Sequence, residues 1–313
     1  MNELKNLIAS TKPTREFNKR KRVVNSPSPF VAWVGGKRQL LDSYSSLFPT
    51  DFNKYFEPFA GGAAVFYYLY NKYGDTKQYI LSDINAELVI TYNTIKTNPL
   101  EIKGLLDLLN ARHTKEFYYA VRNMDRVKLS NGRFEKKYDI AKNLSAIETS
   151  ARFLYLNKTC FNSIYRVNKD NLFNVPIGTS LRKDISDNGT LEACSAALKH
   201  VEVKNCSYRD LDNQVGKKDL VYLDPPYAPL TATSNFVSYT KDGFDTGDQI
   251  KLRDYCNELD KRGVYFMVSN SNCQLITDLY KKYNQHIFVV NRNINRDKTK
   301  RKNSAEEVLI TNF

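Results

Sequence analysis

Residues 54–84 read KYFEPFAGGAAVFYYLYNKYGDTKQYILSDI, and the organisation of the whole chain follows from how this stretch is parsed. KYFEPF (54–59) has the length and aromatic content of a short strand. The small-residue turn Ala60-Gly61-Gly62 lets backbone bend tightly and launches the apolar helix AAVFYYLYNKY. QYILSDI (78–84) is a second strand, and NAELVITYNTIK after it has helical spacing. Strand, glycine turn, helix and strand in this order open a doubly wound parallel sheet, so the expected fold class is α/β.

Working outward, KRQLLDSYSSLF (37–48) has helical spacing on the amino-terminal side. Beyond the opening unit, residues 99–156 carry apolar side chains three and four apart (LLDLL, then IAKNLSAIETSARFLYL), which predicts helices throughout. Residues 157–180, NKTCFNSIYRVNKDNLFNVPIGTS, are polar and aromatic around an NKDN turn and predict a hairpin or long loop. The α/β rhythm resumes with HVEVKNCS (200–207), DLVYLDPP (219–226), GVYFMVSN (263–270) and HIFVVNRN (286–293). AEEVLITNF is expected to close the sheet as an edge or hairpin strand. The expected organisation is a flexible basic arm over 1–27, an α/β domain over 28–98 and 199–313, and a helical insertion over 99–198 carrying the hairpin 157–180.

The 313 residues carry 47 Lys+Arg against 34 Asp+Glu, a formal charge of +13. Residues 1–25 hold seven Lys/Arg and two Glu, and residues 291–303 hold six Lys/Arg and one Asp, a net of +5 in each. Such a balance favours a polyanionic partner, because cations that neutralise phosphates release counterions; a general solubility bias would look the same. The five cysteines are scattered without a C-x-x-C pair, and His113, His200 and His286 are isolated, so neither a disulfide framework nor a metal site is expected. With no apolar run of 18 residues and no signal-peptide core, the chain reads as soluble, without a membrane partner, and cytoplasmic.

Three motifs carry chemistry. Asp224-Pro225-Pro226-Tyr227 follows the apolar strand LVYL, where open α/β sheets bind ligands. An exocyclic amino nitrogen on a nucleobase is a weak nucleophile, because its lone pair is delocalised into the ring. A carboxylate and a carbonyl aimed at its hydrogens favour a tetrahedral nitrogen with that lone pair available. Asp224 supplies the carboxylate, Pro225 a rigidly directed C=O, and Tyr227 a ring on which an extruded base can stack. A generic acidic proline turn is the plain alternative. The second motif is Tyr55-Phe56-Glu57-Pro58-Phe59-Ala60-Gly61-Gly62, whose turn meets a ligand at a helix N-terminus. It lacks the G-x-G-x-x-G spacing, but Asp83 after the next strand is placed to bind ribose hydroxyls, or else to cap the helix starting near Asn85. The third, Trp33-Val34-Gly35-Gly36-Lys37, lacks the phosphate-loop spacing and is either a turn facing a cofactor or a helix lead-in.

Taken together, AWVGGKRQLL, YFEPFAGGAAVF, LSDIN and VYLDPPYAPLTATSNFVSYTKDGF resemble the Dam family of DNA adenine-N6 methyltransferases in its α-group, D-P-P-Y arrangement, from about Phe30 to the C-terminus. The resemblance implies a Rossmann-like sheet using S-adenosyl-L-methionine, with the helical insertion as target-recognition domain. It implies that Trp33, Lys37, Asp83 and Asp224 contact the methyl donor; Glu57, Phe59 and Gly61 join them as candidate cofactor residues, and Asp224, Pro225 and Tyr227 are the candidate catalytic set. LNKTCFNSIYRVNKDNLFNVPIG is similar to the hairpin with which the family enters double-stranded DNA, usually at GATC. That match implies Phe161 as the wedge beside the flipped adenine, Asn162 as its support, Arg166 on a guanine edge, and Ile164 and Pro176 on neighbouring bases. The pairing of Arg with guanine and of apolar groups with thymine methyls agrees with groove chemistry. One departure bears on the site read: Ala32 stands where GATC-reading members have a lysine on the outer guanine, so a relaxed site such as ATC is also open.

The expected function is a monomeric, bacterial or phage-encoded adenine methyltransferase. An N4-cytosine enzyme more often has S-P-P-Y, and a C5-cytosine enzyme needs a Pro-Cys nucleophile absent here. A non-catalytic basic DNA-binding protein on the same fold is the alternative from another class, and the retained Asp83 and Asp224 weigh against it.

Overall fold

The computed structural model describes residues 3–14, 26–179, 185, 189–229, 244–291 and 304–313. The arm residues 15–25, residues 230–243 of the long D-P-P-Y block and nearly all of the basic stretch at 291–303 lie outside them. The strands are β1 (Lys54–Glu57), β2 (Gln78–Ser82), β3 (Arg126–Lys128), β4 (Phe134–Lys136), β5 (Glu202–Lys204), β6 (Leu220–Leu223), β7 (Tyr265–Ser271), β8 (Asn284–Asn291) and β9 (Ser304–Thr311). The helices are α1 (Glu3–Ser10), α2 (Leu41–Tyr44), α3 (Ala64–Tyr73), α4 (Ala86–Thr97), α5 (Pro99–Ala111), α6 (Lys115–Arg122), α7 (Ile140–Asn143), α8 (Ala146–Thr159), α9 (Thr190–Leu198), α10 (Thr246–Lys261) and α11 (Gln274–Leu279). They fall into two compact units, residues 37–84 with 206–313 and residues 1–36 with 85–205.

The first unit is α/β, with strand order β2-β1-β6-β7-β9-β8. β2, β1, β6 and β7 run parallel, while β9 is antiparallel to both β7 and β8. Beyond their first residues the parallel strands β2, β6 and β7 are buried, as sheets covered on both faces require. Phe56, Val221, Leu223, Phe266 and Val268 of the sheet pack with Leu252, Tyr255 and Leu259 of α10. Each such buried side chain stabilises the fold by about 1.5–3 kcal/mol. From β1 the chain crosses outward to β2; from β6 it crosses the other way to β7. The switch point therefore lies between β1 and β6, which is where such sheets bind ligands.

The last strand takes the hairpin alternative, pairing antiparallel with β8, and is not itself at the edge. Val308, Leu309 and Ile310 of β9 are fully buried, so that strand needs neighbours on both sides, whereas β8 exposes Ile287 and Val289 and tolerates the rim.

The second unit is mainly helical and organised on α8, which is buried on nearly every side and packs against α1, α4, α5, α6 and α7. Ser145 caps α8 with a reciprocal bond to Glu148. Three sequence expectations change here. The arm begins as a helix: Leu4 and Ile8 of α1 are buried, and the Lys5 N–H donates to Glu148 Oε1 at 3.3 Å. α4, assigned above to the α/β domain, clusters with the helices instead, because its buried Leu88, Tyr92 and Ile95 lie on a face shared with α8 and α9. Finally, helices do not fill 99–156: β3 and β4 form an antiparallel hairpin in the middle of it, around Asn131-Gly132.

Candidate functional site

Three acids close three adjacent parallel strands: Asp83 after β2, Glu57 at the end of β1 and Asp224 after β6. Neighbouring strands lie about 4.8 Å apart, so the three carboxyls span a space of nucleoside size along the carboxyl edge of the sheet.

Asp224 is the most constrained. Its Oδ1 lies 3.0 Å from Lys37 Nζ, and Lys37 is itself only 3% exposed. Burial raises the Asp224 carboxyl to about 6, against the downward pull of the Lys37 ammonium. At neutral pH it is mostly ionised and therefore mostly an acceptor. Lys37 also lies 3.7 Å from Glu307 Oε2 and 4.7 Å from the centre of the Tyr227 ring. The Tyr227 hydroxyl donates to Glu307 Oε2 at 2.7 Å and meets Ser269 Oγ at 2.9 Å, which fixes the ring's orientation. Burial and the surrounding carboxylates hold that phenol far above its ordinary range, so it stays a donor. The turn is pinned from behind: Gln249 Nε2 donates to the Pro226 carbonyl at 2.9 Å, Asn270 Nδ2 donates to Gln249 Oε1 at 3.1 Å, and Asn270 Oδ1 accepts from Ala228 N at 3.0 Å. Among the described residues no donor takes the Pro225 carbonyl.

Glu57 is turned inward. Its Oε2 accepts from the Tyr55 hydroxyl at 2.8 Å and from Phe66 N, in the first turn of α3, at 2.9 Å. Burial lifts its carboxyl to about 8, so at neutral pH it is largely the neutral acid and does not repel Asp224. Asp83 is half-buried and its Oδ2 accepts from Gly61 N at 3.0 Å. Gly61 has φ +46° and Ala63, the N-cap of α3, φ +48°, a tight left-handed bend that brings backbone to the strand ends. Phe59 sits beside this bend against Tyr208 (ring centres 5.6 Å) and Phe244 (6.0 Å). Lys37, Glu57, Phe59, Gly61, Asp83, Asp224, Pro225 and Tyr227 therefore belong to one edge of one unit.

The remaining candidates belong to the helical unit. Trp33 stacks on Tyr165 at 5.6 Å and on Phe153 at 6.4 Å. Its neighbour Ala32 is gripped on both backbone groups by Asn157, which accepts from Ala32 N at 3.0 Å and donates to Ala32 O at 2.8 Å. After α8 ends at Thr159, residues 160–179 form a loop closed by the bridges Cys160↔Ile177 and Val167↔Phe173 rather than by regular strands. Gly178 makes its base possible, since a Cβ there would stand 2.9 Å from the Thr159 carbonyl. Asn162 and Ser163 both have positive φ, 55° and 53°, and turn the exposed Asn162 and half-buried Phe161 outward from the end of α8. Ile164 is half-buried; Arg166 and Pro176 are exposed. Arg166 Nε donates to Asn174 Oδ1 at 2.8 Å, which aims the guanidinium along the loop.

Sequence reading missed Glu307, Ser269, Asn270, Gln249 and Asn157. The Ser-Asn pair ending β7 at a sheet's ligand edge was a legible signal; Glu307, in a strand far along the chain, gave none. Among the described residues no group of three His, Cys, Asp or Glu side chains is set to hold a metal ion, and no helix is long and apolar enough to cross a membrane.

One prediction follows from the Lys37–Asp224 pair. Lys37→Met removes the charge that lowers Asp224, so that carboxyl rises above about 6. The acid limb of the kcat/KM profile should move to higher pH by about one unit or more. A limb that stays in place while the rate falls would detach that titration from Asp224.

Comparison with known sequences agrees with this geometry. Residues 33–295 match the profile of a family described as D12 class N6 adenine-specific DNA methyltransferase. The chain is 37% identical over 287 residues to a type II methyltransferase of Lactococcus lactis subsp. cremoris, covering 91% of this chain and 95% of that one. It is 38% identical over 301 residues to a type II methyltransferase of Methanocaldococcus jannaschii, covering 91% and 99%. It is 32% identical over 285 residues to a DNA adenine methylase of Vibrio cholerae, covering 90% and 94%.

Proposed function

The chain belongs to the D12 class of N6 adenine-specific DNA methyltransferases, and from that premise we propose that it methylates adenine N6 in duplex DNA from S-adenosyl-L-methionine at GATC or a shortened form of it. The observation that carries the chemistry is the turn at 224–227: a buried carboxylate, a proline carbonyl without a protein partner among the described residues, and a ring held by its hydroxyl.

The donor carries its methyl on a sulfonium, which makes that methyl electrophilic. The edge fits such a group: Asp83 offers a half-buried acceptor for ribose hydroxyls, Gly61 brings backbone close, and Lys37 and Asp224 lie two strands away. Glu57, neutral at working pH, closes the floor without adding charge. Toward the base, Asp224 and the Pro225 carbonyl accept from the amine hydrogens and localise the nitrogen lone pair, while Tyr227 gives the extruded ring a stacking surface. The proton leaving the methylated amine passes first to the Asp224 carboxylate and then to solvent.

In this reading residues 1–36 with 85–205 form the target-recognition domain, and residues 37–84 with 206–313 the catalytic one. Phe161 fills the gap left by the flipped base and Asn162 supports it. Arg166 reads a guanine, and Ile164 and Pro176 line the groove. Exposed Ala32 has no side-chain donor, so discrimination of the outer base is weak.

The reading is tested by incubating the protein with methyl donor and duplex DNA and measuring N6-methyladenine by nucleoside mass spectrometry; none formed at any sequence would end it. Sequencing the methylated bases gives the site. Arg166→Ala is expected to relax choice at one position by about 1–3 kcal/mol, roughly 5- to 150-fold in relative rate. An unchanged preference would remove the loop from sequence reading.

A further inference from the structure

The β3–β4 hairpin has no role in the chemistry above, yet every residue from 127 to 137 is exposed. Its register pairs Arg126 with Lys136 and Lys128 with Phe134. Directly paired residues share a face, so one face carries the exposed Lys128 and Lys136 and an aromatic ring, Phe134, 41% exposed, above the buried Arg126. A lone two-stranded hairpin is marginal in water. Charge of this kind on an uncovered hairpin is suited to an anionic partner. Counter-charges are few: Glu135 is exposed on the other face, Lys136 lies 3.6 Å from Asp139, and Lys137 lies 3.7 Å from Glu3.

The hairpin is nonetheless firmly rooted. Asp125 and Arg126 are buried and paired at 2.6 Å, and Asp125 also receives Arg152 of α8 at 3.2 Å. The tip is a turn in which Leu129 N donates to Arg133 O at 2.8 Å, with Gly132 at φ +80°. Its root also shares a support with the recognition loop. On α6, just before it, the Tyr118 hydroxyl and Arg122 Nη1 donate to the Val175 carbonyl at 2.9 and 3.4 Å. Val175 adjoins Pro176, one of the residues proposed to meet the bases.

We infer that the β3–β4 hairpin is a second DNA contact, placing Lys128, Lys136 and Phe134 on the sugar–phosphate backbone of the duplex that flanks the site read by the loop 157–180. The inference rests on the function proposed above. Lysines bind phosphates as point charges and carry no base code, and Asn131 at the tip is engaged by Arg133 N at 3.0 Å, so this contact positions the duplex without reading sequence.

The test uses the full chain with Lys128→Ala and Lys136→Ala combined. Duplex binding is followed by fluorescence anisotropy between about 50 and 300 mM salt, on DNA with and without the methylated site. The expected result is a loss of affinity by a similar factor on both duplexes. The slope of log K against log salt should become shallower by about 1–2, with the methylated site unchanged. Lys128→Gln with Lys136→Gln, which keeps length and removes charge, should behave alike. A wild-type slope in both variants would overturn the inference and leave the enzyme's function standing, whereas a wild-type protein that binds neither duplex would overturn both. A changed site preference would also overturn it, since the hairpin would then be reading bases.

Discussion

Asp224→Ala is expected to lower the methyl-transfer rate by about a thousandfold or more while duplex affinity changes by less than about threefold. The two effects separate because Asp224 faces the amine and the methyl donor and not the phosphates, whose contacts set most of the affinity. Alanine removes the single charged acceptor and leaves Lys37, buried at 3% exposure, without its nearest counterion at 3.0 Å. Asp224→Asn keeps one acceptor oxygen and should fall between the two. Single-turnover rates with saturating DNA, set beside anisotropy titrations, measure both quantities. Alanine activity within tenfold of wild type would take this carboxylate out of the chemistry.

Arg152→Met is expected to destabilise the helical unit by about 3–5 kcal/mol at neutral pH, the usual consequence of removing one side of a buried ion pair. Arg152 is 1% exposed and holds four groups: Val121 O at 3.1 Å, Arg122 O at 3.0 Å, Asp125 Oδ2 at 3.2 Å and Glu87 Oε2 at 3.3 Å. Methionine fills much of the volume but leaves Glu87 without its cation, Asp125 with Arg126 alone, and two carbonyls without this donor. The pH dependence has a definite sign. Burial already raises Glu87, with Arg152 the main influence lowering it, so in the variant its folded pKa stands further above the unfolded value. A raised carboxyl favours the native state at low pH and loses that contribution as pH rises through its folded value, so the deficit should shrink on acidification. The chain's one tryptophan, Trp33, stacks inside this unit, so its fluorescence in urea titrations reports the right transition. A change under about 1 kcal/mol would show that the network is dispensable.

Much of this was legible in the sequence where local chemistry and period agreed. The strands around Tyr55, Ile80 and Val221 are short apolar runs followed by a glycine turn or an acid, and β1, β2 and β6 lie there. Asp83 and Asp224 were found because a carboxylate after an apolar strand has few structural reasons to be there. The misreadings have physical causes. The lysines and prolines of 1–27 hid the i, i+3, i+4 set Leu4, Leu7 and Ile8, which became α1. The helical period on either side of 123–139 masked Asn131-Gly132 between alternating stretches, a hairpin signal in its own right. Glu307 escaped because its importance comes from a strand inserted beside β7, a placement set by burial of Val308 to Ile310 and not by any motif.

The clamp of Asn157 on Ala32 bears on how one member of this class changes the sequence it recognises. Residues 26–36 belong to the helical unit, and the Ala32 backbone is tied to the end of α8, just before the loop proposed to read sequence. Grafting a relative's loop 157–180 alone would leave the host's Trp33 under a foreign Tyr165 position and the amide grip mismatched. On the function proposed above, target choice is therefore expected to pass between members only when both stretches are exchanged together.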